Sequence, residues 1–158
     1  MNPTSRLAAC LVGLALLVSG CSDSSSGAGG TKSYEEALQE YGEAKSKLKL
    51  PPNVGEEGWG RPLMKESDGQ PVVYQDGAAT MTLELSWLCA WQKEWLSTRG
   101  VDAAREREAM SQLEAFPNMR TYASSFDDGT RAAFDANIAA ARLGDPGPIR
   151  NDVQLNCA

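Results

Sequence analysis

LSWLCAWQKEW, residues 85–95, places Trp87, Trp91 and Trp95 four residues apart. At 3.6 residues per turn these positions fall on one side of a helix, and the leucines between them widen the apolar arc. Burial of one tryptophan removes about 150 to 250 Å² from water, which is worth at most roughly 4 to 6 kcal/mol. The stretch therefore predicts the central helix of the domain, with its tryptophans facing the interior. The alternative is that at least one ring lines a groove for a sugar ring, a peptide or a partner helix.

The chain before this helix predicts one more helix and then an irregular stretch. Ser33 and Glu36 have the spacing of a capping box, which starts a helix that Pro51-Pro52 ends. Residues 51–77 have Gly or Pro at short intervals and no helical period. Asp68-Gly69 suggests a small hairpin there, although the loop length fits no tight two-residue turn cleanly. Irregular stretches of this length often carry function, so this one is a second place to look for a site.

Two further helices are predicted after the tryptophan helix, which should run from Ala78 to Thr98. Asp102 can cap the first of them, and Asp127 or Asp128 can cap the second. The positions expected to face inward are Tyr34, Ala37, Leu38, Tyr41, Ala44 and Leu48 in the first helix, and Ala109, Met110, Leu113, Phe116, Phe134, Ile138, Ala141 and Leu143 in the last two. These elements predict a mostly α fold in a single domain of residues 33–158. It is a small bundle of about four helices, with the irregular stretch or hairpin between the first two.

The N-terminus has the pattern of an export signal. Residues 1–6 carry one positive charge, and residues 7–18 form an apolar run. As a helix that run would span roughly 18 Å, which is well short of a hydrocarbon core of about 30 Å. A permanent membrane span is therefore not expected here.

The apolar run ends in Leu17-Val18-Ser19-Gly20-Cys21, and this sequence resembles the lipobox of bacterial lipoproteins. The resemblance implies that residues 1–20 are a signal peptide removed just before Cys21, whose thiol carries a diacylglyceryl group. It also implies attachment to the cell membrane on the extracytoplasmic face through the lipid. Residues 21–32 follow as a Ser/Gly-rich tether with a reach of roughly 18 Å. The alternative is an ordinary secretory signal in which the cysteine is incidental.

The negative net charge of the chain does not favour binding to an anionic membrane and argues against polyanionic partners. Loss of residues 1–20 removes Arg6 and no acidic residue, so the formal charge changes from −6 to −7. A chain of this sign is repelled by anionic lipid and by phosphate backbones. The lipid anchor is therefore the expected membrane contact, and nucleic acid is not an expected partner.

The cysteines are consistent with an exported domain. Cys10 leaves with the signal and Cys21 is used by the lipid, which leaves Cys89 and Cys157 as a pair. We predict that they form a disulfide, which would stabilise the domain by on the order of 4 kcal/mol in the loop-entropy account. The bridge would also hold the Pro/Gly-rich tail, residues 145–158. Two free thiols are the competing interpretation.

Catalytic chemistry is narrowed by what the sequence lacks. It contains no histidine, which removes His-based general bases, Ser-His triads and the commonest zinc ligand. No phosphate-binding glycine motif and no EF-hand loop occurs, and we expect neither a cofactor nor a metal site. Carboxylates remain as candidates for acid and base roles, although solvated surface and helix caps explain most such residues. They are Glu56, Glu57, Asp68, Asp76 and Glu84.

Three functions remain from the sequence. The first is a non-catalytic module of the cell envelope that binds a protein partner through a groove or through residues 51–77. The second is a small-ligand or glycan-binding lipoprotein in which Trp59, Tyr74 and Trp91 act as stacking platforms. The third and least favoured is a carboxylate-dependent envelope hydrolase.

Overall fold

The tryptophan helix lies at the centre of a mostly helical domain. The computed structural model describes residues 30–157. Its five α-helices are α1 (Tyr34–Lys45), α2 (Ala78–Thr98), α3 (Ala103–Ala115), α4 (Asp128–Arg142) and α5 (Gly147–Asn156). Its four strands are β1 (Thr31–Lys32), β2 (Glu66–Ser67), β3 (Gln70–Pro71) and β4 (Tyr74–Gln75). The predicted fold class is confirmed, with five helices where the sequence indicated about four. None of the helices in this part of the chain has the length and apolar character needed to cross a membrane.

Helix α2 contacts α1, α3 and α5, and its tryptophan stripe forms the middle of the core. Trp87, Trp91 and Trp95 are each 2% exposed or less. The indole N–H groups of Trp87 and Trp91 both donate to the Lys49 carbonyl, at 2.7 and 3.0 Å. These two bonds attach the segment after α1 to α2. The prediction that the stripe faces the interior is confirmed.

Helix α1 begins as predicted and ends earlier. The Ser33 hydroxyl accepts the Glu36 N–H at 3.3 Å, and the Glu36 carboxylate accepts the Ser33 N–H at 2.8 Å, which completes the capping box. The helix ends at Lys45 and not at the prolines, because the following residues turn to bring the Lys49 carbonyl to α2. Leu38 is exposed, so its predicted inward position is wrong. The inward stripe of α1 is narrower than the apolar pattern indicated, and Leu38 lies on its flank.

The hairpin is present, and it is tighter than the sequence indicated. Ser67 of β2 pairs with Gln70 of β3, so Asp68 and Gly69 form a two-residue loop. Both have positive φ, 51° and 73°, as a type I′ turn requires. The two strands of the hairpin therefore directly flank a two-residue turn. The expectation that the loop length fits no tight turn is wrong.

The domain begins before residue 33. Thr31 and Lys32 form β1, which pairs antiparallel with Gln75 and Tyr74 of β4. The Asp76 N–H also donates to the Gly30 carbonyl at 2.8 Å. The end of the predicted tether is therefore part of the folded unit.

The turns between the last helices follow their capping residues. Asp102 accepts two N–H groups at the start of α3, and Asp127 rather than Asp128 caps α4 by accepting the Thr130 N–H at 2.7 Å. Leu143 is exposed, so its predicted inward position is wrong. It follows the last residue of α4, where Gly144 turns the chain away with φ of 87°.

The C-terminal tail is a helix tied to α2. Residues 145–158 looked like a Pro/Gly-rich end, yet Gly147–Asn156 form α5, with Pro and Gly confined to its start. Ile149 of this helix is fully buried. A disulfide joins Cys89 of α2 to Cys157, whose Cα atoms lie 5.5 Å apart. The predicted pairing is confirmed.

The N-terminus of α2 is capped by a residue from another helix. Gly77 at the cap position has no side chain, and Glu40 of α1 accepts the N–H groups of Gly77 and Thr80 at 3.4 and 3.1 Å. Glu40 also pairs with Lys32, which bonds to Asp76 at 2.6 Å. This set of contacts links β1, α1 and α2.

The Glu40 contacts give an expected pH dependence. Burial raises the pKa of the Glu40 carboxyl, but hydrogen bonds from Lys32, Thr80 and Gly77 outweigh it and hold the pKa below the ordinary 4.5. A lowered folded pKa contributes stability that is present above about pH 4.5 and is lost as the pH falls through the folded pKa. We expect Glu40→Gln to lower the free energy of unfolding at pH 7 by about 1.5 to 3 kcal/mol and to weaken its decrease on acidification.

Urea unfolding from pH 7 to pH 3 checks this expectation. The matched control is Glu43→Gln, on the exposed side of the same helix, which should change the unfolding free energy by no more than about 0.5 kcal/mol. An acid profile of Glu40→Gln that parallels the profile of the unmodified protein would contradict it.

Candidate functional site

The candidate site is a groove along the side of α2 that carries Cys89. It consists of two neighbouring cavities of about 620 and 520 Å³. Leu85, Cys89 and Asn156 line both of them. We call the pair the disulfide groove, because the bridge between Cys89 and Cys157 lies at the boundary between the two cavities.

The larger cavity has apolar walls and a fixed polar edge. Its apolar residues come from α2, α4 and the turn before α4, and they are Leu85, Leu88, Phe126, Ala133 and Phe134. On the polar edge, Gln92 and Asn156 both donate to the Asp152 carboxylate, at 2.6 and 2.7 Å. Gln92 is fully buried, so its amide cannot turn away from this contact. Apolar walls with a few fixed polar groups are typical of ligand pockets.

The disulfide boundary is held by α2. The Lys93 ammonium donates to the Cys157 carbonyl at 2.8 Å, which places a positive charge at the C-terminal end of α5. The Gln92 side-chain oxygen lies 3.5 Å from the Cys157 sulfur. This is a packing contact, because a disulfide sulfur carries no hydrogen to donate. Together with the bridge, these contacts fix the edge that α5 contributes to the groove.

The smaller cavity lies between α2 and the irregular stretch. Val54, Glu57, Gly58 and Gly60 form its outer wall. Gly60 has φ of 76°, and a Cβ there would lie 2.3 Å from the Ser86 hydroxyl of α2. The irregular stretch therefore packs directly on α2 and contributes one side of the groove.

Two of the three predicted stacking residues are in the core. Trp91 is 2% exposed and Trp59 is 7% exposed, so neither offers a ring face to a ligand. Trp59 anchors the irregular stretch, because Tyr41 donates to its carbonyl at 3.3 Å and the Lys45 ammonium lies 5.4 Å from its ring centroid. The interpretation of Trp59 and Trp91 as binding platforms is therefore corrected to that of core residues.

Tyr74 serves the loop that carries it. Its hydroxyl accepts the Met64 N–H at 2.8 Å and donates to the Met64 carbonyl at 2.7 Å. This clamp closes the chain around the hairpin of β2 and β3. Tyr74 does not line either cavity of the disulfide groove.

Four of the five carboxylates considered from the sequence have local partners or turn positions. Glu56 pairs with Lys45. Asp76 pairs with Lys32 and with Arg120. Glu57 accepts the N–H of the residue two before it at 3.0 Å, and backbone hydrogen bonds lower its pKa. Asp68 occupies the hairpin turn. The fifth, Glu84, is buried on α2 and lines a separate cavity.

Within residues 30–157, no three Cys, Asp or Glu side chains come together in a way that could hold a metal ion. Cys21, the predicted lipidation residue, and residues 1–20, the predicted signal peptide, lie outside the described residues.

Sequence reasoning missed the polar edge of the groove. Asp152 and Asn156 are four residues apart, and this helical spacing was a local signal in a tail that we interpreted as a Pro/Gly-rich end held by the disulfide. Gln92 lies within the tryptophan stretch, and the sequence did not show that this polar side chain is buried. Comparison with protein-family models, with curated proteins and with solved structures yields no match.

Proposed function

We propose that this protein is a membrane-anchored extracytoplasmic lipoprotein whose helical domain is a non-catalytic binding module for a protein partner of the cell envelope. The observation that carries the proposal is the pairing of Cys89 with Cys157. Disulfides persist in oxidising compartments, outside the cytoplasm. Once these two are paired, Cys21 is the cysteine that remains in the mature chain, at the position where a lipobox places it.

The geometry supports an orientation in which the groove is accessible from the side. The Gly30 carbonyl accepts the Asp76 N–H next to the start of α2, so the segment that follows the proposed anchor enters the domain at that end. Helix α2 has 21 residues and is therefore about 30 Å long. The exposed Val101 and Leu143 lie at its far end. The disulfide groove is near the middle of α2, above the membrane and open to a partner.

The shape of the disulfide groove favours an extended segment of a partner. The two cavities share Leu85, Cys89 and Asn156 and lie on adjacent faces of α2, one next to the polar edge at Asp152 and the other next to the irregular stretch. The apolar walls would supply binding energy, and the fixed carboxylate and amides would orient the bound chain.

A small ligand is the second candidate. The larger cavity alone has a volume of about 620 Å³, within the usual range of about 300 to 1,000 Å³ for small-molecule pockets. This observation favours an apolar ligand with one polar group that faces Asp152.

Replacement of two alanines of α4 by arginine, one at a time, tests whether the disulfide groove binds the partner. Ala133 and Ala139 are both exposed, and Ala133 lines the larger cavity whereas Ala139 does not. We expect Ala133→Arg to abolish partner adducts in cross-linking of intact cells, because a long charged side chain would fill the cavity. Ala139→Arg should leave those adducts unchanged. Equal adduct yields from both variants would contradict a role of the groove, and binding of an apolar small molecule blocked by Ala133→Arg would favour the second candidate.

A further inference from the structure

Glu84 is a buried carboxylate without a cationic partner among the described residues. It is 7% exposed, in the first half of α2. The Thr121 N–H donates to its Oε2 at 2.8 Å, and this is its one hydrogen bond in that part of the chain. No described Lys or Arg lies within 4.0 Å of it.

The other buried acid of the same helix is paired. Glu94 is 6% exposed, and the guanidinium of Arg105 donates to it twice, at 2.7 and 2.9 Å. Glu40, which is also largely buried, has Lys32 as its cation. Buried carboxylates are usually paired with a cation in this way, because removing an isolated charge from water is costly. Glu84 is thus the exception in a domain that neutralises its other buried acids.

Glu84 lines a third cavity, of about 480 Å³, between α1, α2 and the segment that leads into the turn Thr121–Ser125. Ala44, Leu48 and Met119 form the apolar part of its lining. The rest of the lining is polar or charged, and it includes Glu40, Glu43, Lys47, Thr80 and Asn118. Arg120 is at the edge, where its guanidinium is held by Asp76 at 2.6 Å. We call this space the Glu84 cavity. It is separate from the disulfide groove, with which it shares no lining residue.

We propose that the Glu84 cavity binds a protonated aliphatic amine. The ammonium group donates to the free oxygen of Glu84 and supplies the cation that the buried carboxylate lacks. The hydrocarbon stem lies against Ala44, Leu48 and Met119, as lysine stems commonly lie on apolar surface. An ammonium is a compact charge with three donors and needs only one carboxylate to anchor it, whereas a metal ion needs several ligands. The site holds whether or not the disulfide groove binds a partner.

Isothermal titration of the detergent-extracted full chain at pH 7 tests the proposal. The probes are cadaverine, a five-carbon diamine, and pentanediol, which has the same stem and no charge. We expect saturable binding of cadaverine and at least tenfold weaker binding of pentanediol. Equal binding of the two, or no binding of cadaverine, would overturn the proposal. This comparison requires no variant.

Two variants identify the residue. Glu84→Gln keeps the size of the side chain and an acceptor for the Thr121 N–H, and it removes the charge; we expect it to lose cadaverine binding at least tenfold. Glu108→Gln removes an exposed carboxylate of α3 that lines none of the three cavities, and it should leave the affinity within a factor of about two. A purely structural role of Glu84 as a cap for the Thr121 turn would leave cadaverine affinity unchanged in Glu84→Gln, which would refute the assignment.

A further arm separates the two sources of an aliphatic amine. A short peptide with one lysine is compared with the same peptide in which norleucine replaces the lysine. Tighter binding of the lysine peptide than of cadaverine assigns the cavity to a lysine side chain of a protein. Tighter binding of cadaverine assigns it to a free small amine. Either result supports the amine chemistry.

Discussion

Replacement of both Cys89 and Cys157 by alanine is expected to lower the free energy of unfolding by about 4 kcal/mol. The bridge joins residues 68 positions apart, and a cross-link over such a loop restricts the unfolded chain strongly. A loss of this size is a large part of the roughly 5 to 15 kcal/mol that stabilises a typical domain. Urea unfolding of the two proteins at pH 7 measures it.

Removal of the bridge should weaken the packing of α5 more than that of the other helices. Without the bridge, that helix is still held by the buried Ile149, by the bond from Gln92 to Asp152, and by the bond from Lys93 to the Cys157 carbonyl. We therefore expect the domain to remain folded, with faster amide exchange in α5 than in α2. The polar edge of the disulfide groove would become mobile with it.

Reduction supplies the matched control for the disulfide prediction. Dithiothreitol should destabilise the unmodified protein to about the level of the double-alanine variant, and it should leave that variant unchanged. An unfolding free energy that changes by less than about 1 kcal/mol on removal of the bridge would contradict the role given to it.

Cys21→Ala is expected to abolish incorporation of labelled palmitate into the protein. The lipobox resemblance assigns the whole anchor to this thiol, and alanine has no atom that could form the thioether. Acyl chains contribute about 0.8 kcal/mol per buried CH₂, and the acidic chain offers no compensating attraction to anionic lipid. We therefore expect Cys21→Ala to carry no palmitate label at all. The label is measured in the immunoprecipitated protein.

Cys10→Ala is the control for the lipid prediction, since it removes the other cysteine of the N-terminal segment and should leave labelling intact. Label that persists in Cys21→Ala would contradict the anchor. Label that disappears in both variants would instead point to a general export defect.

Local signals in the sequence were sufficient for the helix starts and for the core stripe. Ser33, Asp102 and Asp127 act on N–H groups two or three residues away, so their capping roles are readable without knowledge of the fold. The spacing of the tryptophans likewise requires only the period of a helix. The disulfide was predicted by counting cysteines, because the predicted export and lipidation leave one pair.

What the sequence could not provide depends on contacts between distant segments. Leu38 and Leu143 continue apolar patterns, yet they are exposed because neighbouring helices do not reach them. Trp59 lies in an irregular stretch and looked like a ligand platform, yet Tyr41 and Lys45 of α1 hold it in the core. In each case the partner that decides burial belongs to another element.

The two candidate sites also combine residues that the sequence could place with contacts that only the fold creates. Glu84 could be placed one turn before Trp87 from the sequence. Its lack of a cation among residues 30–157 depends on where the Lys and Arg side chains of that part of the chain lie. The polar edge formed by Gln92, Asp152 and Asn156 required α5 to return to α2. Patterns of this kind arise only when the chain has folded.

The measurement that tests the account most directly is the intact mass of the protein extracted from membranes, with alkylation before and after reduction. We predict a chain that begins at Cys21, carries acyl mass on that residue, and gains two alkyl groups only after reduction, at Cys89 and Cys157. A chain without acyl mass, or two thiols that react before reduction, would contradict it.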